Sequence, residues 1–282
     1  MKSTLNGTFS VNSKTDLTPS EFEQIRKIVY DYCGINLHEG KQALVRGRLM
    51  KRLRYLKLST FAEYLDYLEK DDTGQEFSQF IDILTTNKTS FFRESSHYDF
   101  IEKEIIPGVG NRPLKWWSAG CSSGEEPITM AMILKEGMKM TGKPPVKILA
   151  TDLSREVVQF AKMGVYPKEK LNGMPNYFLK KYFKPTPENK NNFVIDENIK
   201  NIITYGRLNL LNNWPMKGPF HIIMCRNVMI YFDKQTQRRL VERFYDLLEP
   251  GGYLFIGHSE SVTNKEIGLR TVLPAAYQKI GA

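Results

Sequence analysis

From residue 114 onward, short apolar runs alternate with stretches of helical periodicity, and this alternation restricts the possible folds more than any other feature. The runs fall near 114–118, 146–151, 201–205, 220–225 and 253–257, with a last pair near 270–280. Helical stretches lie between them, near 127–140, 154–163 and 235–248. Strands separated by helices in this way pair in parallel, so the pattern predicts an α/β fold with a parallel sheet. The stretch 184–200 breaks the rhythm. It is polar, carries Pro185 and Pro187, and only Phe193-Val194-Ile195-Asp196 reads as a strand. A small β insertion, such as a hairpin, is expected there.

Upstream, residues 17–86 read as helices. Thr18-Pro19-Ser20-Glu21 has the form of a capping box with proline at the first helical position. Phe22, Ile25, Val29 and Tyr32 follow at helical spacing, and Gly34 stops the run. Further helices are expected over 39–57, after Ser59, and over 75–84. With 282 residues, two domains are the natural organisation. The expected layout is a polar disordered tail (1–16), a small all-α domain (17–86), a linker contributing to a cofactor cleft (87–97) and the α/β domain (98–282). No apolar run approaches the ~18 residues of a membrane span. Three cysteines, Cys33, Cys121 and Cys225, have no metal-like spacing and suit a reducing cytoplasm.

The formal charge of +9 points to an acidic partner. Much of it is gathered in the second helix, where residues 41–57 hold seven basic side chains and no acid. Val45, Leu49, Leu53 and Leu56 form its apolar stripe. Arg48, Lys51 and Arg54 project from the other side, flanked by Arg46 and Arg52. So many like charges repel one another, which favours a docking surface over a merely solvated face. An acidic helix and a phosphate backbone both suit it.

The chemistry-bearing residues cluster at the ends of the predicted strands, where open α/β sheets bind ligands. Ser118-Ala119-Gly120-Cys121-Ser122-Ser123-Gly124-Glu125-Glu126-Pro127 is a strand end, a glycine turn and a helix start. The G-x-G-x-x-G spacing is absent, and Glu125 and Glu126 would repel phosphates. A sulfonium cofactor with an α-amino group suits this acidic loop, and Gly120 allows close backbone approach. Asp152, at the tip of the second strand, suits two ribose hydroxyls. Gly206-Arg207-Leu208-Asn209-Leu210 and Cys225-Arg226-Asn227 end the next two strands. His258 reads as a rim or structural residue.

Five motifs then occur in order: Thr86-Asn87-Lys88-Thr89-Ser90-Phe91-Phe92-Arg93-Glu94, Gly124-Glu125-Glu126-Pro127, Ala150-Thr151-Asp152, Cys225-Arg226-Asn227-Val228-Met229-Ile230-Tyr231-Phe232 and Gly257-His258-Ser259-Glu260. Together they resemble the chemotaxis receptor glutamate methyltransferases, the CheR family, over residues 17–282. The resemblance implies a Rossmann-like class I S-adenosylmethionine (SAM)-dependent methyltransferase domain with a small β insert behind a helical domain, with S-adenosylhomocysteine as product and no metal. It implies cofactor contacts from Asn87, Thr89, Arg93, Glu125, Asp152, Asn209, Leu210, Arg226 and Asn227. Arg93 and Tyr231 match positions important for activity. The basic helix (Arg46, Arg48, Lys51, Arg52, Arg54) would dock on the cytoplasmic methylation helices of a methyl-accepting receptor. In some members the insertion grips a receptor C-terminal pentapeptide. Here 184–200 holds no glycine, which counts against that tether.

Two rival readings differ in class. A nucleic-acid methyltransferase suits the charge, but neither an Asp/Asn-Pro-Pro-aromatic string nor Pro-Cys occurs. A non-catalytic SAM-binding docking module would use the same basic helix without turnover. No nucleic-acid partner is expected, and the chain is expected to act as a monomer.

Overall fold

The computed structural model describes residues 16–108, 113–141, 146–262 and 268–281. The tail expected over 1–16 lies outside the described residues except for Asp16, whose carboxylate pairs with Arg46 at 2.9 Å. The chain divides into two compact units, one of Met1–Tyr32 with Asn36–Leu84, the other of Cys33–Ile35 with Thr85–Ala282. Among the described residues, no helix is long and apolar enough to cross a membrane.

The first unit is helical: α1 (Pro19–Cys33), α2 (Gln42–Leu56), α3 (Phe61–Glu69) and α4 (Gln75–Leu84). Thr18 and Glu21 form the reciprocal cap read from the sequence. The Glu21 N–H donates to Thr18 Oγ1 (3.2 Å), and the Thr18 N–H donates to Glu21 Oε2 (2.7 Å). Thr60 and Glu63 repeat the device at α3, so this helix is capped one residue beyond the expected Ser59. Ile25, Val29, Val45, Leu49, Leu53, Phe61, Tyr64 and Phe80 are buried together in this unit. Each contributes roughly 1.5–3 kcal/mol by leaving water.

The second unit holds the sheet. A helix starts at α5 (Ser95–Phe100), passes through a π turn (Ile101–Ile105) and ends in α6 (Ile106–Gly108). Then come β1 (Leu114–Ala119), α7 (Glu125–Thr141), β2 (Val146–Asp152), α8 (Arg155–Met163) and β3 (Val165–Pro167). They are followed by α9 (Asn176–Tyr182), β4 (Phe183–Pro185), β5 (Asn192–Ile195), α10 (Glu197–Lys200), β6 (Ile203–Arg207) and β7 (Phe220–Cys225). The chain closes with α11 (Lys234–Leu247), β8 (Leu248–Ile256), β9 (Leu269–Leu273) and β10 (Ala276–Lys279).

Seven strands form one sheet in the order β6-β2-β1-β7-β8-β10-β9. β6 to β8 run parallel, and β10 is antiparallel to both of its neighbours. Every residue of β7 is buried, as the continuous apolar run of a doubly covered central strand requires. Trp116 and Trp117 point to opposite faces and anchor separate cores, with Ile148 and Met224 on one side and Ile223 and Phe244 on the other. The winding reverses between β1 and β7, which opens a crevice at the carboxyl ends of the strands.

The insertion is a three-stranded sheet, β3-β5-β4, and it begins at Val165, ahead of the 184–200 segment where a hairpin was expected. β3 and β4 are three residues each, too short to show a period of two. The expected linker 87–97 is also shorter, since α5 starts at Ser95.

Candidate functional site

The glycine turn after β1 bends through Gly120 (φ 101°), Ser122 (φ 48°) and Gly124 (φ 95°) before α7 begins at Glu125. A Cβ on Gly120 would lie 2.3 Å from Val228 Cγ2, so the turn admits only glycine there. The Gly120 and Cys121 N–H groups both donate to the Thr151 carbonyl, at 2.8 and 2.9 Å, which ties the turn to the end of β2. Asp152 then receives one backbone N–H on each carboxylate oxygen, from Ser122 (2.8 Å) and Ser154 (3.0 Å). Its position at the strand tip is thereby fixed.

Glu125 is fully buried. Its oxygens take the Lys170 ammonium at 2.6 Å and the Ser123 hydroxyl at 2.6 Å, and the Tyr166 hydroxyl donates to the Ser123 carbonyl at 2.7 Å. The turn is therefore clamped from the root of the insertion. The charge of Glu125, one of the expected cofactor contacts, is paired with Lys170, a partner 45 residues away.

Behind the 87–94 segment lies an interlock around Arg226, whose side chain is 2% exposed. Nε donates to Glu94 Oε2 (3.2 Å), and Nη1 donates to the Tyr98 hydroxyl (3.0 Å) and Glu126 (3.4 Å). Nη2 donates to Glu94 (3.1 Å) and to the Arg93 carbonyl. All five N–H donors are thus spent inside the protein. Arg226, one of the expected cofactor contacts, is thus held rigidly in the wall of this strand end. Burial alone would raise the Glu94 pKa, but the Arg226 charge and the N–H bonds from His258, Arg226 and Asn227 bring it below the ordinary value. Glu126 goes the other way, raised by burial against the pull of Arg226.

Asn227 adopts φ 58° and donates from its backbone to Glu260 (3.0 Å) and from Nδ2 to Glu94 (3.4 Å). Phe92 (φ 55°) and Glu94 (φ 54°) are also left-handed. Four of the six described non-glycine residues with positive φ, namely Phe92, Glu94, Ser122 and Asn227, sit on this rim. Such strain, about 1–3 kcal/mol per residue, persists where the surroundings over-determine it, as the Arg226 interlock does.

Ligand-type atoms of Glu94, His97 and His258 lie within 4.8 Å of one another. The Glu94 carboxylate already accepts four N–H bonds, two of them from a guanidinium, so the trio serves to join the 92–94 turn to the end of β8. His97 is fully buried. Burial and the Arg226 charge lower its pKa to about 4, with Nε2 against the Pro274 carbonyl (3.2 Å) and Nδ1 without a hydrogen bond.

Arg93 and Tyr231 contrast with this wall. The Arg93 side chain makes one hydrogen bond among the described residues, from Nη1 to the Lys88 carbonyl (3.0 Å). Tyr231 ends a 3-10 turn and is half-buried, and its hydroxyl makes no hydrogen bond among the described residues. Asn87 donates to Thr85 Oγ1 (3.2 Å) and accepts the Ser122 hydroxyl on its carbonyl (2.9 Å), while Thr89 beside it is half-buried. Asn209 accepts the Leu211 N–H (3.0 Å), and the buried Leu210 offers a carbonyl already held by Trp214 and Arg243. Sequence reasoning missed Glu94, Tyr98, Lys170 and Tyr166. Only Glu94 stood inside a motif singled out beforehand.

In the helical unit, α2 sorts its arginines. Arg52 is anchored to the buried Glu76, which also accepts the Tyr64 hydroxyl at 2.8 Å, and its guanidinium lies 4.8 Å from the Tyr55 ring centre. Arg46 pairs with Asp16, and Arg48 donates to the Leu84 carbonyl at 2.6 Å. Lys51 and Arg54 stand exposed without such ties among the described residues. Within the expected docking set, Arg52 is thus held in place by an internal partner.

The strand order, the antiparallel β10 and the glycine turn leading to an acid at the tip of β2 define a class I SAM-dependent methyltransferase fold. Residues 87–275 match the family model described as "CheR methyltransferase, SAM binding domain", and residues 20–85 match "CheR methyltransferase, all-alpha domain". The chemotaxis protein methyltransferase of Borreliella burgdorferi is 39% identical over 277 residues, 95% of this chain and 97% of that one. Chemotaxis protein methyltransferase 2 of Pseudomonas aeruginosa is 40% identical, covering 94% and 95%. The Escherichia coli chemotaxis protein methyltransferase is 37% identical, covering 89% and 87%. The chain belongs to the CheR methyltransferase family, and is a SAM-dependent methyltransferase of the chemotaxis type.

Proposed function

We propose that this chain esterifies glutamate side chains on the cytoplasmic methylation helices of a chemotaxis receptor, acting as a cytoplasmic monomer. The observation that carries the reading is the contrast at the rim. Arg93 and Tyr231 retain polar groups with no hydrogen bond among the described residues, beside a wall whose charges are internally paired. A glutamate of pKa about 4.3 is ionised at neutral pH, so it needs no general base. The three cysteines are unsuited to nucleophilic attack, because burial raises every thiol pKa: Cys33 to about 11, and Cys121 and Cys225 well above the ordinary value.

SAM supplies a methyl group activated by a sulfonium. Asp152 would hold the ribose hydroxyls, the 120–124 turn would carry the cofactor's amino-acid end, and Asn87, Thr89, Asn209 and Leu210 would line its flanks. The fixed acid at the tip of β2, with no phosphate-cradling glycine triad, fits such a ligand better than a pyrophosphate. Arg93 orients the incoming carboxylate or the cofactor carboxylate through its planar fork, and Tyr231 donates its hydroxyl to the substrate oxygen. Catalysis then rests on in-line positioning and water exclusion.

Lys51 and Arg54, with Arg48 beside them, form the docking face for the acidic substrate helix. No receptor-tail tether forms part of this reading. Both edge strands of the small sheet, β3 and β4, are three residues long and end in proline, which supports leaving strand addition out.

The test is transfer of labelled methyl from SAM to membranes bearing the cell's own chemoreceptors, followed by mild alkali. Release of volatile methanol from receptor-sized protein is expected. Alkali-stable label would replace the substrate class, and cofactor binding with no label on any fraction would replace catalysis with docking.

A further inference from the structure

Gly47 sits in the middle of α2, where glycine weakens a helix relative to alanine. Among the described residues, nothing asks for it. A Cβ built there would meet no atom within 4 Å, and Gly47 is not among the glycines with positive φ. It opens instead onto a groove of about 380 Å³ lined by Arg48, Lys51, Arg52, Tyr55, Gln79 and Ile83.

The groove has a definite chemistry. Its charged walls are all basic, and two of them are held in place, Arg48 on the Leu84 carbonyl and Arg52 on Glu76. Tyr55 is 76% exposed, with its ring under the Arg52 guanidinium, and Ile83 adds an apolar side chain from α4. No acid of α2 competes for these cations. A missing side chain at such a point matters to a partner that must bring its backbone close. Small residues let two helices cross at short range, whereas phosphates are reached by long basic side chains and gain little from a glycine.

We propose that Gly47 is the crossing point at which an acidic, amphipathic substrate helix packs onto α2, with Arg48, Lys51 and Arg52 engaging its carboxylates on either side. The glycine is thus a recognition residue that the fold carries at a cost to its own stability. This inference rests on the receptor-helix reading above and adds to it the contact that sets how closely the substrate approaches.

The experiment compares the full-length wild type with Gly47→Ala and Gly47→Leu, using SAM and receptor-bearing membranes. Gly47→Ala should raise Tm by about 2 °C, because the helix gains propensity and no clash is introduced. It should raise the KM for receptor roughly tenfold, as overpacking a close contact does, while leaving the dissociation constant for SAM unchanged. Gly47→Leu should raise the KM for receptor further, by about a hundredfold, with SAM binding again intact. A KM for receptor within twofold of wild type in both variants would overturn the proposal. So would tight binding of duplex DNA at 0.15 M salt that displaces receptor and is unaffected by either substitution. If the wild type itself methylates no receptor preparation, the broader reading fails first. If it does and the variants match it, only the role of Gly47 falls.

Discussion

Arg226 and Lys51 carry the same charge in opposite settings. Arg226, 2% exposed, distributes its five donors over Glu94, Glu126, Tyr98 and the Arg93 carbonyl. Lys51 stands exposed beside a groove on α2, with no such partners among the described residues. A buried guanidinium is held there by the carboxylates that surround it, so removing it leaves those acids without a counter-charge. An exposed ammonium costs the fold almost nothing to lose. The two regions therefore separate stability from recognition, and substitutions can break or sharpen that separation.

The largest effect is expected from Arg226→Met, which leaves the half-buried Glu94 and Glu126 without their cation. Denaturant unfolding should show a loss of about 3–5 kcal/mol, and turnover should fall with it. Unchanged stability would erase the contrast. His97 gives a pH arm to the same region. Its imidazole titrates near 6.5 when unfolded and at about 4 when folded. Between those values the unfolded chain binds a proton that the folded chain cannot, so stability is full above 6.5 and falls as pH drops toward 4. The slope should total about 3 kcal/mol and flatten in His97→Gln, read by denaturant melts across pH 4–7.

Arg93→Ala and Tyr231→Phe sharpen the comparison from the rim. Each should lower turnover roughly a hundredfold while shifting unfolding by less than about 1 kcal/mol, because neither side chain belongs to the interlock. Near-wild-type turnover in both would remove them from the mechanism. The smallest effect is expected on α2. Lys51→Glu combined with Arg54→Glu should leave Tm unchanged, raise the KM for receptor about tenfold and weaken its salt dependence.

The elements with a strong local signal were legible in the sequence. Thr18–Glu21 announced α1, Gln75 and Leu84 bounded α4 where the periodicity placed it, and β7 matched its apolar run residue for residue. The strand tips were legible too, since Asp152 stands where a parallel strand had to end. What stayed hidden depends on distant partners. Nothing local reveals that Arg226 meets Glu94 across 132 residues, or that Lys170 neutralises Glu125. Residue type marked these positions as chemical, but only the fold separates those that face the cleft from those that hold it. β3 and β4 escaped for another reason: three residues carry no period, and their pairing with β5 is a tertiary fact.

The clamp that Tyr166 and Lys170 place on the Ser123–Glu125 turn divides the small sheet by inheritance. Its outer loop turns on hydrogen bonds between Thr186 and Asn189, which do not reach the clamp. Its root forms the clamp, so every alteration there is transmitted to the turn beside Asp152. A graft between relatives should therefore be spliced beyond Leu171, so that a new outer sheet arrives on the old hinge.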